Sequence, residues 1–99
     1  MTAGPAVYTM RIRDVQWPPG IKAKVERKHG LSQEEVETAA FDKRSWIKRA
    51  GPDRYILLGR ASNGAYVSMI YSYSKGVSRV ITARRMDWRE RRIYQRSGK

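Results

Sequence analysis

Apolar positions in this chain fall into short runs whose period switches from strand-like to helical and back. Tyr8, Met10 and Ile12, then Val15 and Trp17, alternate with polar residues and predict a strand over Tyr8–Trp17. Pro18-Pro19 ends it, and proline suits the first turn of a helix, where its missing N–H costs nothing. Ile21 and Val25 lie four apart and predict a short amphipathic helix to about His29, with Gly30 as the left-handed stop. The stretch Leu31-Ser32-Gln33-Glu34-Glu35-Val36 then places Ser32 at an N-cap with Glu35 three residues on. That is a capping box, flanked by Leu31 and Val36 as a hydrophobic staple. It predicts a helix Gln33–Phe41 whose buried side holds Val36, Ala39 and Ala40, with Phe41 at its end.

After Asp42 the rhythm becomes that of strands. Trp46-Ile47 is a weak edge candidate, and Gly51-Pro52-Asp53 is a turn. Tyr55–Arg60 and Ala65–Tyr73 read as strands joined by the two-residue hairpin signal Asn63-Gly64. Ser74-Lys75-Gly76 turns the chain into a further strand, Val77–Arg84. Asp87 and Glu90 repeat the cap-and-N3 spacing and open a helix to about Arg96. The sum is one α+β domain over residues 1–99, with two N-terminal helices, an antiparallel meander of four to five strands and one C-terminal helix. Residues 1–6, small and proline-containing, are expected to be flexible.

Charge changes the picture from a fold to a partner. Lys and Arg number 21 against 9 Asp and Glu, a net +12 on 99 residues. Arg79, Arg84, Arg85, Arg89, Arg91, Arg92, Arg96 and Lys99 crowd the last strand and helix, opposed only by Asp87 and Glu90. Such a field attracts polyanions, and nucleic acid is the expected partner. The absence of Cys excludes disulfides and thiolate chemistry, and a single His excludes a site built on several His ligands. No apolar run approaches the roughly 20 residues that span a bilayer, and no signal peptide is visible, so no membrane partner and a cytoplasmic location are expected.

Within a meander, the strands ending at Arg60 and Arg84 run parallel to each other, so both arginines reach one end of the sheet, roughly 10 Å apart across the strand between them. Guanidinium forks on that spacing suit one phosphate or two neighbours. Each is equally readable as an exposed strand-end charge, and pattern alone leaves open whether they share a face. Lys28-His29 closes the first helix. His29 reads as a solvated cap, the commoner outcome for a lone His beside Gly, or as a proton-transfer group. Arg89, Arg92 and Arg96 follow at three- and four-residue steps and form a row on one helix face. Tyr55, Tyr66, Tyr71 and Tyr73 read first as sheet core, and Trp17, Trp46 and Trp88 as packing anchors, with stacking of unpaired bases beside the arginines as the alternative for both sets.

Several of these segments together resemble one family. Arg27-Lys28-His29-Gly30-Leu31-Ser32 with Glu34-Glu35-Val36 and Phe41 resembles the RKHGVSFEEA…F segment of the BrnT family, toxin components of bacterial type II toxin–antitoxin pairs. Leu58-Gly59-Arg60-Ala61 resembles its GR strand end, Val80-Ile81-Thr82-Ala83-Arg84 its RIISAR strand, and Arg89-Glu90-Arg91-Arg92-Ile93-Tyr94 its closing RERRxYE helix. The likeness runs from about Val15 to Arg96. Trp17-Pro18-Pro19 and the basic segment Lys43–Gly51 depart from the family pattern. The resemblance implies a RelE-like fold, ribonuclease activity without metal or other cofactor, and neutralisation by an antitoxin, usually a BrnA-like ribbon-helix-helix protein through which alone operator DNA is met.

RNA supplies its own nucleophile, the 2′-hydroxyl. The protein need only move protons and stabilise charge on phosphorus. On this reading Arg60 and Arg84 grip the scissile phosphate, His29 is acid or base, Lys28 assists electrostatically, and Arg79, Arg85, Arg89 and Arg92 hold RNA. The alternative is a non-catalytic, basic nucleic-acid-binding domain of the same fold, favoured by the thin proton-transfer inventory.

Overall fold

The computed structural model describes residues 10–97. Elements follow in the order β1 (Asp14–Gln16), α1 (Ile21–His29), α2 (Gln33–Ala40), β2 (Trp46–Gly51), β3 (Arg54–Arg60), β4 (Tyr66–Ser74), β5 (Val77–Arg85) and α3 (Trp88–Ser97). The five-stranded sheet has the order β1-β5-β4-β3-β2. Strands β2 to β5 form the expected antiparallel meander. β1 adds to its β5 edge in parallel, Asp14 opposite Val77, which makes the sheet mixed. Parallel neighbours require a long crossover, and here most of the chain intervenes.

Two strands differ in extent from expectation. The first is reduced to Asp14–Gln16, because pairing begins only where the Arg13 and Asp14 N–H groups donate to the Gly76 carbonyl, at 2.7 and 3.2 Å. Tyr8 and the flexible start expected for residues 1–6 lie outside the described residues. β2 instead outruns Trp46-Ile47 and continues to Gly51, with Lys48, Arg49 and Ala50 exposed along the sheet edge. Charges on an edge strand block pairing with another chain, and they also erase the alternation that would have announced the strand.

Side chains sort the sheet into two faces. Leu57, Val67, Met69, Tyr71, Val80 and Ala83 join Val25, Leu31, Val36, Ala39 and Ala40 in the main core beneath α1 and α2. Each large aliphatic side chain so buried contributes about 1.5–3 kcal/mol. On the opposite face Trp46, Leu58, Met86 and Tyr94 form a smaller cluster beneath α3. Phe41, expected at the end of the buried side of α2, is instead half exposed at its C-cap. α2 lies close on β3: a Cβ on Gly59 would stand 2.2 Å from the Ala39 carbonyl oxygen, so the strand must present glycine there.

Both capping boxes form. The Glu35 N–H donates to Ser32 Oγ at 3.1 Å and the Ser32 N–H to Glu35 Oε1 at 2.8 Å. Glu35 Oε2 accepts from Asn63 Nδ2 at 2.9 Å, which ties the β3–β4 hairpin tip to the start of α2. At α3 the Glu90 N–H donates to Asp87 Oδ1 and the Asp87 N–H to Glu90 Oε1. Asp42, between α2 and β2, fastens three segments. Its Oδ2 accepts from the Arg60 N–H at 2.8 Å and from the Tyr94 hydroxyl at 2.5 Å, and its Oδ1 from the Arg44 N–H at 3.0 Å. No described helix is long and apolar enough to cross a membrane.

Candidate functional site

The sheet register decides where the sequence's candidates meet. Arg60 stands opposite Tyr66 on β4, and Arg84 stands opposite Ser68. Positions 66 and 68 share a face, so Arg60, Tyr66, Ser68 and Arg84 all point to the α3 side. Two strand spacings and a two-residue offset put the Arg60 and Arg84 backbones about 12 Å apart.

Arg60 is exposed, and its Nε donates to the Gly64 carbonyl at 3.2 Å. Its guanidinium carbon lies 4.9 Å from the Tyr66 ring centroid, and that of Arg91, on α3, lies 4.2 Å from it. Tyr94 meets the same ring edge-on at 6.0 Å. Hydrogen bonds from Gln95 first and Arg91 second, with the positive charges of Arg60 and Arg91, hold the Tyr66 phenol below its ordinary pKa. Stabilising phenolate and stabilising an anionic phosphate make the same electrostatic demand, so this corner suits either.

Arg84 is differently engaged. Its Nη1 and Nη2 donate to Glu90 Oε1 and Oε2, both at 2.8 Å, and Nη1 reaches the Arg85 carbonyl at 3.2 Å. This is the one ion pair among the described residues, with the Arg84 side chain 43% exposed and Glu90 15%. A guanidinium has five N–H donors. The end-on grip by Glu90 leaves the Nε edge, with the outer N–H of Nη2, facing the same way as a second fork. Arg84 can thus hold α3 and still offer a phosphate its side edge.

The remaining candidates divide. Arg85 turns to the other face, where Nη2 donates to the Gly30 carbonyl at 3.2 Å. Lys28 and His29, at the end of α1, therefore join Arg85 on the α1 and α2 side, around the same end of the sheet. Lys28 is exposed and His29 half-buried. Arg79 stands opposite Ser72 and Gln16, five residues upstream of Arg84 and roughly 17 Å from it along the strand. Arg89 and Arg92 lie on the outer side of α3 beside Trp88. Among the described residues no group of three or more His, Cys, Asp or Glu converges in a way that could hold a metal ion.

Sequence reasoning weighed Tyr66 as core or base platform and Arg91 only as part of the basic cluster, and it passed over Gln95. Tyr66 read as core because tyrosines on a central strand usually are, and Tyr71 does lie fully buried, with a phenol pKa raised by burial. The signal for Tyr66 was its place directly after the hairpin, level with Arg60. Trp88, read as a packing anchor, is 62% exposed, whereas Trp46 is buried and Trp17 donates Nε1 to Glu37 Oε2 at 2.8 Å.

Comparison with known proteins adds an independent line. Residues 17–90 match the family model described as the ribonuclease toxin BrnT of a type II toxin–antitoxin system. Among solved structures, the 1.1 Å crystal structure of the Brucella abortus ribonuclease toxin BrnT superposes with a TM-score of 0.61 at 18% identity, covering 80% of this chain and 99% of that one. At such identity the likeness is one of fold. No curated protein matches the chain.

Proposed function

The chain belongs to the BrnT family, ribonuclease toxins of type II toxin–antitoxin systems, and on that premise we propose that it cleaves RNA by metal-independent attack of the 2′-hydroxyl on the adjacent phosphate. The observation that carries this is the convergence of Arg60, Tyr66, Arg84 and Arg91 on one face at one end of the sheet. Arg60 and the free edge of Arg84 bind the scissile phosphate and the charge that grows on it in the transition state. One group must take the 2′ proton and another must protonate the departing 5′-oxygen. Tyr66, whose pKa is held down first by the Gln95 hydrogen bond and then by Arg91 and the charge of Arg60, serves one of these steps. His29, the sequence's candidate for the other, stands on the opposite face of the sheet and serves that step only if the RNA backbone passes around the sheet end within its reach, with Lys28 adding positive charge. Arg79, Arg85, Arg89 and Arg92 guide the rest of the RNA.

Single-stranded RNA incubated with the protein in EDTA should yield fragments ending in 2′,3′-cyclic phosphate, and a 2′-deoxy substitution at the cut should block cleavage there. Cutting that persists at the deoxy position defeats the mechanism. Arg60→Ala should lower the cleavage rate about 100-fold, the usual effect of removing one transition-state donor. Tyr66→Phe and His29→Ala should each depress it further than any exposed Arg outside the cluster. A protein that binds RNA yet cuts none is instead the non-catalytic binding module.

An antitoxin is the other partner the family entails, and a BrnA-like ribbon-helix-helix protein is the proposed one. Each arginine it covers needs a carboxylate or another acceptor, since burying an unpaired charge is costly. Association should weaken as salt rises. Salt-independent nanomolar binding argues that packing, not charge, holds the pair.

A further inference from the structure

The outer side of α3 has a composition that neither the cleavage corner nor the core explains. Trp88 is 62% exposed and Ile93 39%. Arg89 and Arg92 hold their guanidinium carbons 5.3 and 6.0 Å from the Trp88 ring. These four residues and Arg96 line one shallow cleft. Among the described residues no acid lines it, and Glu90, the one acid within α3, is turned inward to Arg84. Trp88, Arg92 and Arg96 recur every fourth residue, so they stack along the helix as a strip at steps of about 6 Å. Like charges so close repel one another, and folding alone gains little from a large indole left in water.

We infer that this strip is a docking site for an unpaired stretch of RNA, with one base stacked on Trp88 and the following phosphates held by Arg92 and Arg96. The inference rests on the ribonuclease reading for its ligand class and extends it to a surface outside the cleavage corner. Two observations favour an unpaired strand over a protein partner. Tryptophan and arginine are also common in protein interfaces, but three arginines in so small a cleft would each need a carboxylate or other acceptor in a partner's buried surface, where acids are scarce. An exposed indole with guanidinium groups beside it is, by contrast, the arrangement on which bases stack regardless of sequence while cations follow the backbone. A duplex hides its base faces and cannot use the ring.

The probe is a fluorescently labelled, single-stranded oligonucleotide with 2′-deoxy sugars, which the protein cannot cut by the proposed route, titrated by anisotropy against wild type, Trp88→Ala, Trp88→Phe and Arg92→Ala/Arg96→Ala. Trp88→Ala should weaken binding about tenfold, within the range for loss of one stacked base. Trp88→Phe should restore much of it. The double arginine variant should shallow the salt dependence of log K by about 1.4, two phosphate contacts on a single strand. Binding should quench the protein's tryptophan emission in wild type but not in Trp88→Phe. A duplex of equal length should bind wild type and Trp88→Ala alike. Equal affinity of Trp88→Ala and wild type for the single strand, or an equal loss on single strand and duplex, overturns the inference. Wild type that binds and quenches normally but cuts no RNA overturns the cleavage mechanism and leaves this surface standing.

Discussion

Removing Glu90 tests whether Arg84 is a strut, a phosphate ligand or both. The Glu90 carboxylate accepts two bonds from Arg84 at 2.8 Å and one from the Asp87 N–H at 3.0 Å, while Ser68 Oγ at 3.4 Å is too distant to count for much. With Arg84 43% exposed, water screens the pair, so we assign it about 1 kcal/mol. The reciprocal cap adds about 1 kcal/mol. Glu90→Ala should therefore cost about 2 kcal/mol, and Arg84→Ala about 1–2 kcal/mol because it strands a largely covered carboxylate. In a domain of this size Glu90→Ala should lower Tm by roughly 10 °C. Urea unfolding of both single variants and the double variant closes the cycle, with an expected coupling of about 1 kcal/mol. Additivity within about 0.3 kcal/mol refutes the strut. The same variants separate the roles in a cleavage assay: if Arg84 also binds phosphate, Arg84→Ala loses about 100-fold more activity than Glu90→Ala. If both lose equally, the arginine only holds the helix.

Three further outcomes follow from other contacts. Burial first, then the hydrogen bond to Asp42 and its charge, push the Tyr94 phenol up to about 12 from 10. Between those values the unfolded chain has lost a proton that the folded chain keeps, so stability should fall as pH rises through that window. Tyr94→Phe should flatten that limb in alkaline melting curves, and an unchanged slope removes Tyr94 as its source. The Asn63 side-chain bond first, then the Ser32 N–H, hold the Glu35 carboxyl below its ordinary value of 4.5. The stability it lends is present above pH 4.5 and drains as pH falls through the lower folded value, so Glu35→Gln should show a weaker acid limb in chemical denaturation. Gly59→Ala must displace the α2 backbone at Ala39, and we expect a loss of about 3 kcal/mol in urea unfolding, against little change if the helix can slide away.

Local chemistry and the meander order were legible, but the partner of the first strand, the extent of the edge strand and the exact register were not. Ser32 with Glu35, and Asp87 with Glu90, announce helix starts because a cap is satisfied within three residues of chain. Asn63-Gly64 marked a hairpin but not its form. The loop is Ser62-Asn63-Gly64, closed by the Gly64 N–H on the Ala61 carbonyl with only Gly64 left-handed. It sets Arg60 opposite Tyr66, where the expected two-residue turn would have set it opposite Val67. The partner of β1 is decided by distant residues around Gly76, and the length of β2 by its place on an edge, neither of which leaves a periodic trace. The candidate site divides in the same way. That Arg60 and Arg84 reach one end follows from a meander, but their common face depends on register. Arg84 and Arg85 are neighbours in sequence yet fall on opposite faces, and no motif foretold that Glu90 would occupy one edge of Arg84. Tyr66 and Tyr71 look alike in the sequence; only the reach of α3 and its arginines sets them apart.

Asp42 joins segments made at very different times, since its carboxylate is filled at once by the backbone of Arg60 and the hydroxyl of Tyr94. During synthesis that junction stays open until α3 has left the ribosome. A nascent chain cut short before α3 would thus carry most of these arginines without the frame that aims them, and the arginine corner matures only once α3 has docked.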